Sequence, residues 1–410
     1  MEVGMNGKTI LILGGGVGGI VTANALRAKL STEHRVIVVD KNAEYLFTPS
    51  LLWVMVGWRR PEQITKNLHR LLHSGVEVVQ ANVQAINPGA QQVITSTGNL
   101  DYDYLVVALG AALAPDTFPG FSEAAQTPYD LQGAVGLWSS LQSFEGGRVA
   151  ILVSSLPYKC PAAPYETALL IDDYLRKRGI RERCELEVYT PEALPMGVAG
   201  IAMGKAVVGM LESNGIRFNP QLKPIEIDPL RKELRFADHE ACPFDLLAGV
   251  PPHVPPQAVR ESPLANESGW IPVNKRTLQT NQENVYAIGD IAAITLTNGK
   301  PLPKAGVFAE GQALTVAQRI SREIRGLPPQ TEFDGLGFCW IETGSGSAGF
   351  ASGEFYAEPD PIVPLPRSGR MWHWGKVLFE KYWLGEGISR GISRQMLIAG
   401  AKLLGMDISL

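Results

Sequence analysis

Short, unbroken apolar runs recur along the chain up to about residue 290, and most end at glycine or another small residue. Thr9-Ile-Leu-Ile-Leu13, Arg35-Val-Ile-Val-Val-Asp40 and the end of Leu100-Asp-Tyr-Asp-Tyr-Leu-Val-Val-Ala-Leu-Gly110 come first. Arg148–Ser155, Glu185–Tyr189, Asp245-Leu-Leu-Ala-Gly-Val250 and Asn284-Val-Tyr-Ala-Ile288 follow. Runs of this length between turn residues read as buried strands. Between them, the pattern predicts helices at Tyr129–Phe144, after Cys160 through Arg178, and at Ala199–Asn214. Alternating strands and helices imply an α/β fold.

A length of 410 residues allows two or three domains with substantial cores. The formal charge of -4 gives no reason to expect a nucleic-acid partner. Cys160, Cys184, Cys242 and Cys339 form neither a CxxC nor a zinc pattern, so no metal is expected. Four thiols in so long a chain also argue against a secreted disulfide framework. The run from Thr9 to Leu13 passes straight into glycines, as a strand does and a cleaved signal peptide does not. Nor does any stretch reach the roughly 18–20 apolar residues of a membrane span.

Gly14, Gly16 and Gly19 fill a G-x-G-x-x-G pattern that follows a strand and opens a helix, and Asp40 ends the next strand. Each position has a physical task. Gly14 makes the turn, Gly16 lets a pyrophosphate approach backbone amides, Gly19 lets the helix pack on the strand, and Asp40 accepts from ribose hydroxyls. This is a dinucleotide site. With the turn ending at Gly110 and with Gly289-Asp290, the three elements resemble the FAD-binding fingerprints of flavoproteins with two dinucleotide folds. The resemblance implies FAD, with Asp290 near its ribityl and pyrophosphate part and with Lys41, Val83 and Gly110 beside it. It also implies two Rossmann-like domains: a discontinuous FAD domain at 1–120 and 275–325, and a second at 121–274.

The second strand-turn-helix unit lacks its glycines. Leu156-Pro-Tyr-Lys-Cys-Pro161 stands where a nicotinamide nucleotide would need a phosphate cradle, which argues against NADH as the electron donor. Cys160, at or just before a helix start and next to Lys159, is expected to favour its nucleophilic thiolate.

Tyr158-Lys-Cys-Pro-Ala-Ala-Pro-Tyr-Glu166, Leu46-Phe-Thr-Pro-Ser-Leu-Leu-Trp-Val-Met-Val-Gly-Trp58 and Lys304-Ala-Gly-Val-Phe-Ala-Glu-Gly-Gln-Ala313 resemble the sulfide:quinone oxidoreductases. Gly337-Phe-Cys-Trp340 and Gly375-Lys-Val-Leu-Phe-Glu-Lys-Tyr382 extend the likeness over nearly the whole chain. It implies that Cys160 and Cys339 are a redox pair attacked by hydrogen sulfide, with electrons passing through FAD to a membrane quinone. Lys304, Gly306 and Lys376 would then contact FAD, and Trp340 and Phe379 would border the quinone. Many members carry a third cysteine. Here Ala111 to Lys159 has none, which leaves open how a growing sulfur chain is held. No cysteine precedes Cys160, so FAD is expected without the covalent bond of the related flavocytochrome c sulfide dehydrogenases. Those dehydrogenases, which pass electrons to a cytochrome c, and type II NADH dehydrogenases remain alternatives.

Residues 326–410 differ in character. Met371-Trp-His-Trp-Gly-Lys-Val-Leu-Phe-Glu-Lys-Tyr-Trp-Leu384 mixes aromatics with cations. The segment Ile388 to Leu404 places Ile388, Ile392, Leu397, Leu403 and Leu404 among Arg390, Arg394 and Lys402. Amphipathic helices of this kind suit a membrane surface, giving a peripheral membrane protein of the cell membrane. Packing on the domain or in a homo-oligomer is the alternative; the coincidence of aromatics and cations favours the membrane surface. Cys184 and Cys242 read as structural. His253 stays open between proton transfer and a surface loop, Glu166 between accepting a proton and merely capping its helix or facing solvent, and Trp53, Trp58, Arg59 and Arg60 between a quinone entrance and core or rim.

Overall fold

The computed structural model describes residues 7–364 and 368–403. The chain begins with β1 (Thr9–Leu13), α1 (Val17–Arg27), β2 (Arg35–Asp40), β3 (Val76–Gln80) and β4 (Tyr104–Val107). Next come β5 (Gly147–Val153), α2 (Ala163–Lys177), β6 (Cys184–Tyr189), α3 (Ile201–Ser213), β7 (Ile216–Asn219) and β8 (Leu246–Val250). The last part holds β9 (Val285–Ala287), α4 (Gly306–Ile324), the strands β10 (Leu336–Gly344) and β11 (Ser347–Glu354), and helices α5 (Arg370–Leu384) and α6 (Gly387–Leu403).

Two parallel sheets result, in the orders β9-β4-β1-β2-β3 and β7-β6-β5-β8. Leu11 pairs with Ile37 and Leu105 in the first, and Ile151 with Val188 and Ala248 in the second. Ile10 through Leu13 are fully buried, as they must be in a sheet covered on both faces. β9 returns late in sequence to the edge of the first sheet, beside β4, so that sheet is completed from two separate stretches of chain.

The antiparallel hairpin β10–β11 does not form a satellite. β10 packs on α2, α4 and α5, and one apolar core runs from Ile10 through Trp53, Tyr165 and Ile341 to Phe379 and Leu397.

The two terminal helices divide differently from the sequence expectation. Phe379, Tyr382 and Trp383 of α5 are buried, with Trp383 stacked on Tyr45 at 6.0 Å and Phe379 against Phe47 at 6.0 Å. Most of the aromatics read as interfacial are therefore core. Met371 and Trp374 remain exposed. On α6, Ile388 (83% exposed), Ile392 (54%) and Met396 (52%) form an outward stripe at a spacing of one helical turn. Leu397 turns inward, and Arg390 lies 5.3 Å over the Tyr382 ring, so this cation serves the protein interior. Leu404 lies outside the described residues. No helix among the described residues is long and apolar enough to cross a membrane.

Glu310 on α4 is buried under these helices. Burial pushes its carboxyl up to about 8, against the pull of Arg390, a hydrogen bond from Tyr382, and Arg394. The folded state therefore holds a proton there that the unfolded chain, with a value near 4.5, releases earlier. The stabilisation is complete below the unfolded value and is lost as pH rises through about 8. Thermal melts across this window should show wild-type stability falling by up to about 1.4 kcal/mol per pH unit relative to Glu310→Gln. Parallel curves for the two proteins would refute the assignment.

Candidate active site

The first glycine turn is built as its residue types require. Gly14 sits at φ +103°, and a Cβ there would stand 2.4 Å from the Ala108 carbonyl oxygen. At Gly19 a Cβ would stand 1.8 Å from the Gly14 oxygen, so only glycine lets α1 close on the turn. Gly16 has open space instead, with nothing within 4 Å of where its Cβ would be. The Asp40 Oδ2 accepts from the Gly15 amide at 2.6 Å and Oδ1 from the Asn42 amide at 2.8 Å. Lys41 is exposed beside it, and Val83 is half-buried at the start of an adjoining antiparallel strand.

Opposite this turn, Gly306 begins α4, with its Cβ position 3.6 Å from Val17, so the N-terminal ends of α1 and α4 meet. Gly110 at φ +67° also faces open space. Gly289 at φ +72° donates its amide to Gln312 Oε1 at 2.7 Å and fixes the turn that carries Asp290. Burial raises the Asp290 carboxyl, opposed by Lys159 and Lys304. The Lys304 ammonium donates to the Asp290 carbonyl and lies 3.6 Å over the Trp270 ring, and burial pushes it down to about 8. His253, also buried, has Nδ1 2.8 Å from the Pro251 carbonyl. It is held down to about 3 by burial and by Lys159 and Lys304. This settles the placement of His253 as buried.

Cys160 sits at φ +53°, three residues before α2. Its amide donates to the Lys304 carbonyl at 2.7 Å, and its own carbonyl accepts from Ala163 N at 2.9 Å and Tyr129 Oη at 3.3 Å. β10 brings Cys339 to the same place, and its thiol donates to the Trp340 carbonyl at 3.2 Å. Both are free thiols, half-buried, and close enough that Cys160 helps to raise Cys339. The expected thiolate at Cys160 is not what the surroundings favour. Burial and then Glu166 push it up to about 12, with Lys376 opposing. Lys159, next in sequence, aligns with Lys304 and acts electrostatically on His253 and Asp290 instead. Cys339 is raised by the same burial.

Glu166 neither caps nor faces solvent. It is buried, and its Oε1 accepts from Lys376 Nζ at 2.8 Å and from the Glu342 amide at 2.9 Å. Burial raises Glu166 in spite of Lys376; Lys376 itself is raised because Glu166 and Glu342 outweigh its own burial. Behind them, the Glu342 carboxylate is fully buried with both oxygens 3.0 Å from His373 Nδ1. Trp340 stands 5.0 Å from Phe379, with its Nε1 buried and unpartnered among the described residues. Arg59 forks onto Glu380, which also accepts from Ser50, while Trp53 is core and Arg60 is exposed. Cys184 is buried, whereas Cys242 is half-exposed beside His239, away from this cluster.

Sequence reasoning missed Glu342, His373, Glu380 and Glu192. Glu192 follows β6, where a nucleotide ribose would seek its acid, but its Oε2 is taken by the hydroxyls of Tyr158 at 2.7 Å and Tyr165 at 2.5 Å. Glu380 stands inside the quoted Gly375–Tyr382 stretch without having been singled out, and Glu192 could have been found from its place after the second strand of its fold; Glu342 and His373 carry no such signal.

Fold and site together define a flavoprotein with two dinucleotide-type sheets, one of them furnished with a phosphate-accepting glycine turn. Residues 8–313 match the pyridine nucleotide-disulphide oxidoreductase family, and the chain belongs to it. FAD is the cofactor of this family, and the open space at Gly16 and Gly110 between the ends of α1 and α4 fits it. Among curated relatives, the chain is 29% identical over 398 residues to the sulfide-quinone reductase of Aquifex aeolicus, covering 92% of this chain and 90% of that one. It is 26% identical over 378 residues to the mitochondrial sulfide:quinone oxidoreductase of Mus musculus, covering 88% of this chain and 82% of that one. The solved structure of the Aquifex aeolicus sulfide:quinone oxidoreductase superposes with a TM-score of 0.82 at 26% identity, covering 92% of this chain and 90% of that one.

Removing one partner from a buried ion pair leaves an uncompensated charge, which costs about 3–5 kcal/mol. Lys376→Met should therefore lower the unfolding free energy from denaturant titration by that amount, and adding Glu166→Leu should restore most of it. Equal stability of the single and double variants would show that the pair does not hold the structure.

Proposed function

We propose that this protein oxidises hydrogen sulfide through Cys160 and Cys339 and delivers the electrons to a membrane quinone. The observation that carries the reading is the meeting of these two thiols beside the Lys376 ammonium. In this reading Gly14, Gly16, Gly19, Asp40, Lys41, Val83, Gly110, Gly289, Asp290, Lys304, Gly306 and Lys376 line the FAD site. Residues 1–120 and 275–325 form its domain, 121–274 the domain of Cys160, and 326–410 the quinone and membrane region. Bound FAD supplies a two-electron acceptor and donor.

The two thiols are free in the structure, so the cycle would begin with their oxidation to the Cys160–Cys339 disulfide, the two electrons going to bound FAD and on to the quinone. Hydrosulfide attacks one sulfur, the S–S bond breaks, one cysteine becomes a persulfide and the other leaves as a thiolate. Lys376, which lowers both thiols, stabilises that leaving thiolate. The outer persulfide sulfur, now at the zero oxidation level, passes to a further hydrosulfide and is released as polysulfide or elemental sulfur; the two thiols so left would give their two electrons to bound FAD as the disulfide re-forms. The quinone sits by Trp340 and Phe379, where the unpartnered Trp340 Nε1 offers a donor to a quinone carbonyl. The apolar stripe of Ile388, Ile392 and Met396, with exposed Met371 and Trp374, rests on the bilayer as a peripheral contact. NADH is disfavoured as donor, since Tyr158, Tyr165 and Glu192 occupy the turn that would bind it.

Anaerobic mixing with sulfide should bleach the flavin, and a short-chain quinone should restore its colour. Cys160→Ser and Cys339→Ser should each slow bleaching by at least about 100-fold. Bleaching by NADH without bleaching by sulfide would sink the reading.

A further inference from the structure

Glu342 and His373 have no part in the cysteine chemistry, yet they are joined to it. The Glu342 carboxylate is fully buried, and a carboxylate so placed needs a donor. His373 provides it, with Nδ1 3.0 Å from each oxygen. The same imidazole lies against the rings of Trp53 and Trp58, at 5.8 Å from each, and lines an open cavity of about 360 Å³. On its inner side Glu342 gives its amide to Glu166 at 2.9 Å, and Glu166 holds Lys376 at 2.8 Å. Lys376 is one helical turn from His373 on α5 and acts electrostatically on both cysteines. The other charged groups facing this region are Arg59, engaged by Glu380, and Lys177, engaged by Asp173; both line the cavity.

We propose that His373 and Glu342 form a proton conduit from the aromatic cavity to the buried Glu166–Lys376 pair. This rests on the sulfide and quinone reading. Hydrosulfide gives up two electrons and one proton, whereas a quinone takes two electrons and two protons to become a quinol. Each turnover therefore draws one proton from water. That proton must reach an interior closed by Trp53, Ile341 and Phe379, all buried. An imidazole with Nδ1 on a buried carboxylate and its ring lining an open cavity can take a proton on one side and release it on the other. His373 and Glu342 are positioning and relay residues here, acting through Glu166 and Lys376.

The test separates the two half-reactions of the FAD-loaded protein. In His373→Gln, sulfide should bleach the flavin at close to the wild-type rate. Re-oxidation by a short-chain quinone should slow by about 100-fold at alkaline pH and much less at acid pH. In His373→Ala, added imidazole, which fits the enlarged cavity, should restore re-oxidation. A third readout is independent of turnover: NMR of isotope-labelled histidine in the resting protein, with His373 assigned by its loss in His373→Gln. Lys376→Met should shift that resonance at a single fixed pH. Unchanged re-oxidation in His373→Gln at every pH, absence of imidazole rescue, or a His373 resonance indifferent to Lys376→Met would each overturn the conduit. Wild-type protein that sulfide does not bleach would overturn the parent reading and the conduit with it.

Discussion

The buried ion pair between Lys376 and Glu166 is the contact on which the rest of the site depends. It ties α2, which begins just after Cys160, to α5, and the strand that carries Cys339 is caught between them through the Glu342 amide. Desolvating two charges is unfavourable in itself, and only good geometry with further hydrogen bonds offsets it. Here Glu166 has two donors on one oxygen, and Lys376 also stands 5.3 Å from the face of Trp53. A hydrophobic substitute would hold the helices together equally well. What it would not provide is a fixed positive charge beside two sulfurs in a dry interior.

That interior governs the sulfur chemistry. In water, a thiol next to a lysine at a helix start tends toward thiolate. At Cys160 desolvation wins, because the turn that carries it is pressed against the backbone at Lys304 and roofed by Tyr129. Adjacency along the chain misled at this point. The left-handed conformation of Cys160 swings Lys159 toward Asp290 and His253, whereas the lysine that does act on the thiol comes from more than 200 positions away. A site of this kind favours neutral thiols at rest, with Lys376 as the charge that opposes the burial.

The parts legible in sequence are those where local sterics dictate the residue. Gly14 and Gly19 are forced by backbone contacts, and the apolar runs are forced by sheets covered on both faces, so each could be read without knowing what lies opposite. The buried polar partners could not. Glu342 stands in an ordinary strand pattern and His373 in an aromatic helix; their meaning comes only from the packing of β10 on α5. Periodicity erred for a related reason. The aromatics of α5 and the apolar residues of α6 have the spacing of an interfacial helix, but a helix buried on its own domain has the same spacing. Only the direction of each side chain separates Phe379 and Leu397 from Ile388 and Trp374.

The second dinucleotide-type sheet shows how a frame can outlast its ligand. β5, the turn and α2 keep the path that in the first sheet leads to a phosphate cradle, and Glu192 keeps the place of a ribose-binding acid. The polar demand of that acid has not gone away. Left empty, a half-buried carboxylate would need water or a ligand; here Tyr158 and Tyr165 supply both hydroxyls, and their buried rings fill the volume. Tyr158 is two residues from Cys160, so the side chain that closes the nucleotide site also fixes the turn that presents the thiol. Restoring a nucleotide there would require removing Tyr158, and with it the support of Cys160. The closure of one site and the construction of the other are thus a single structural change.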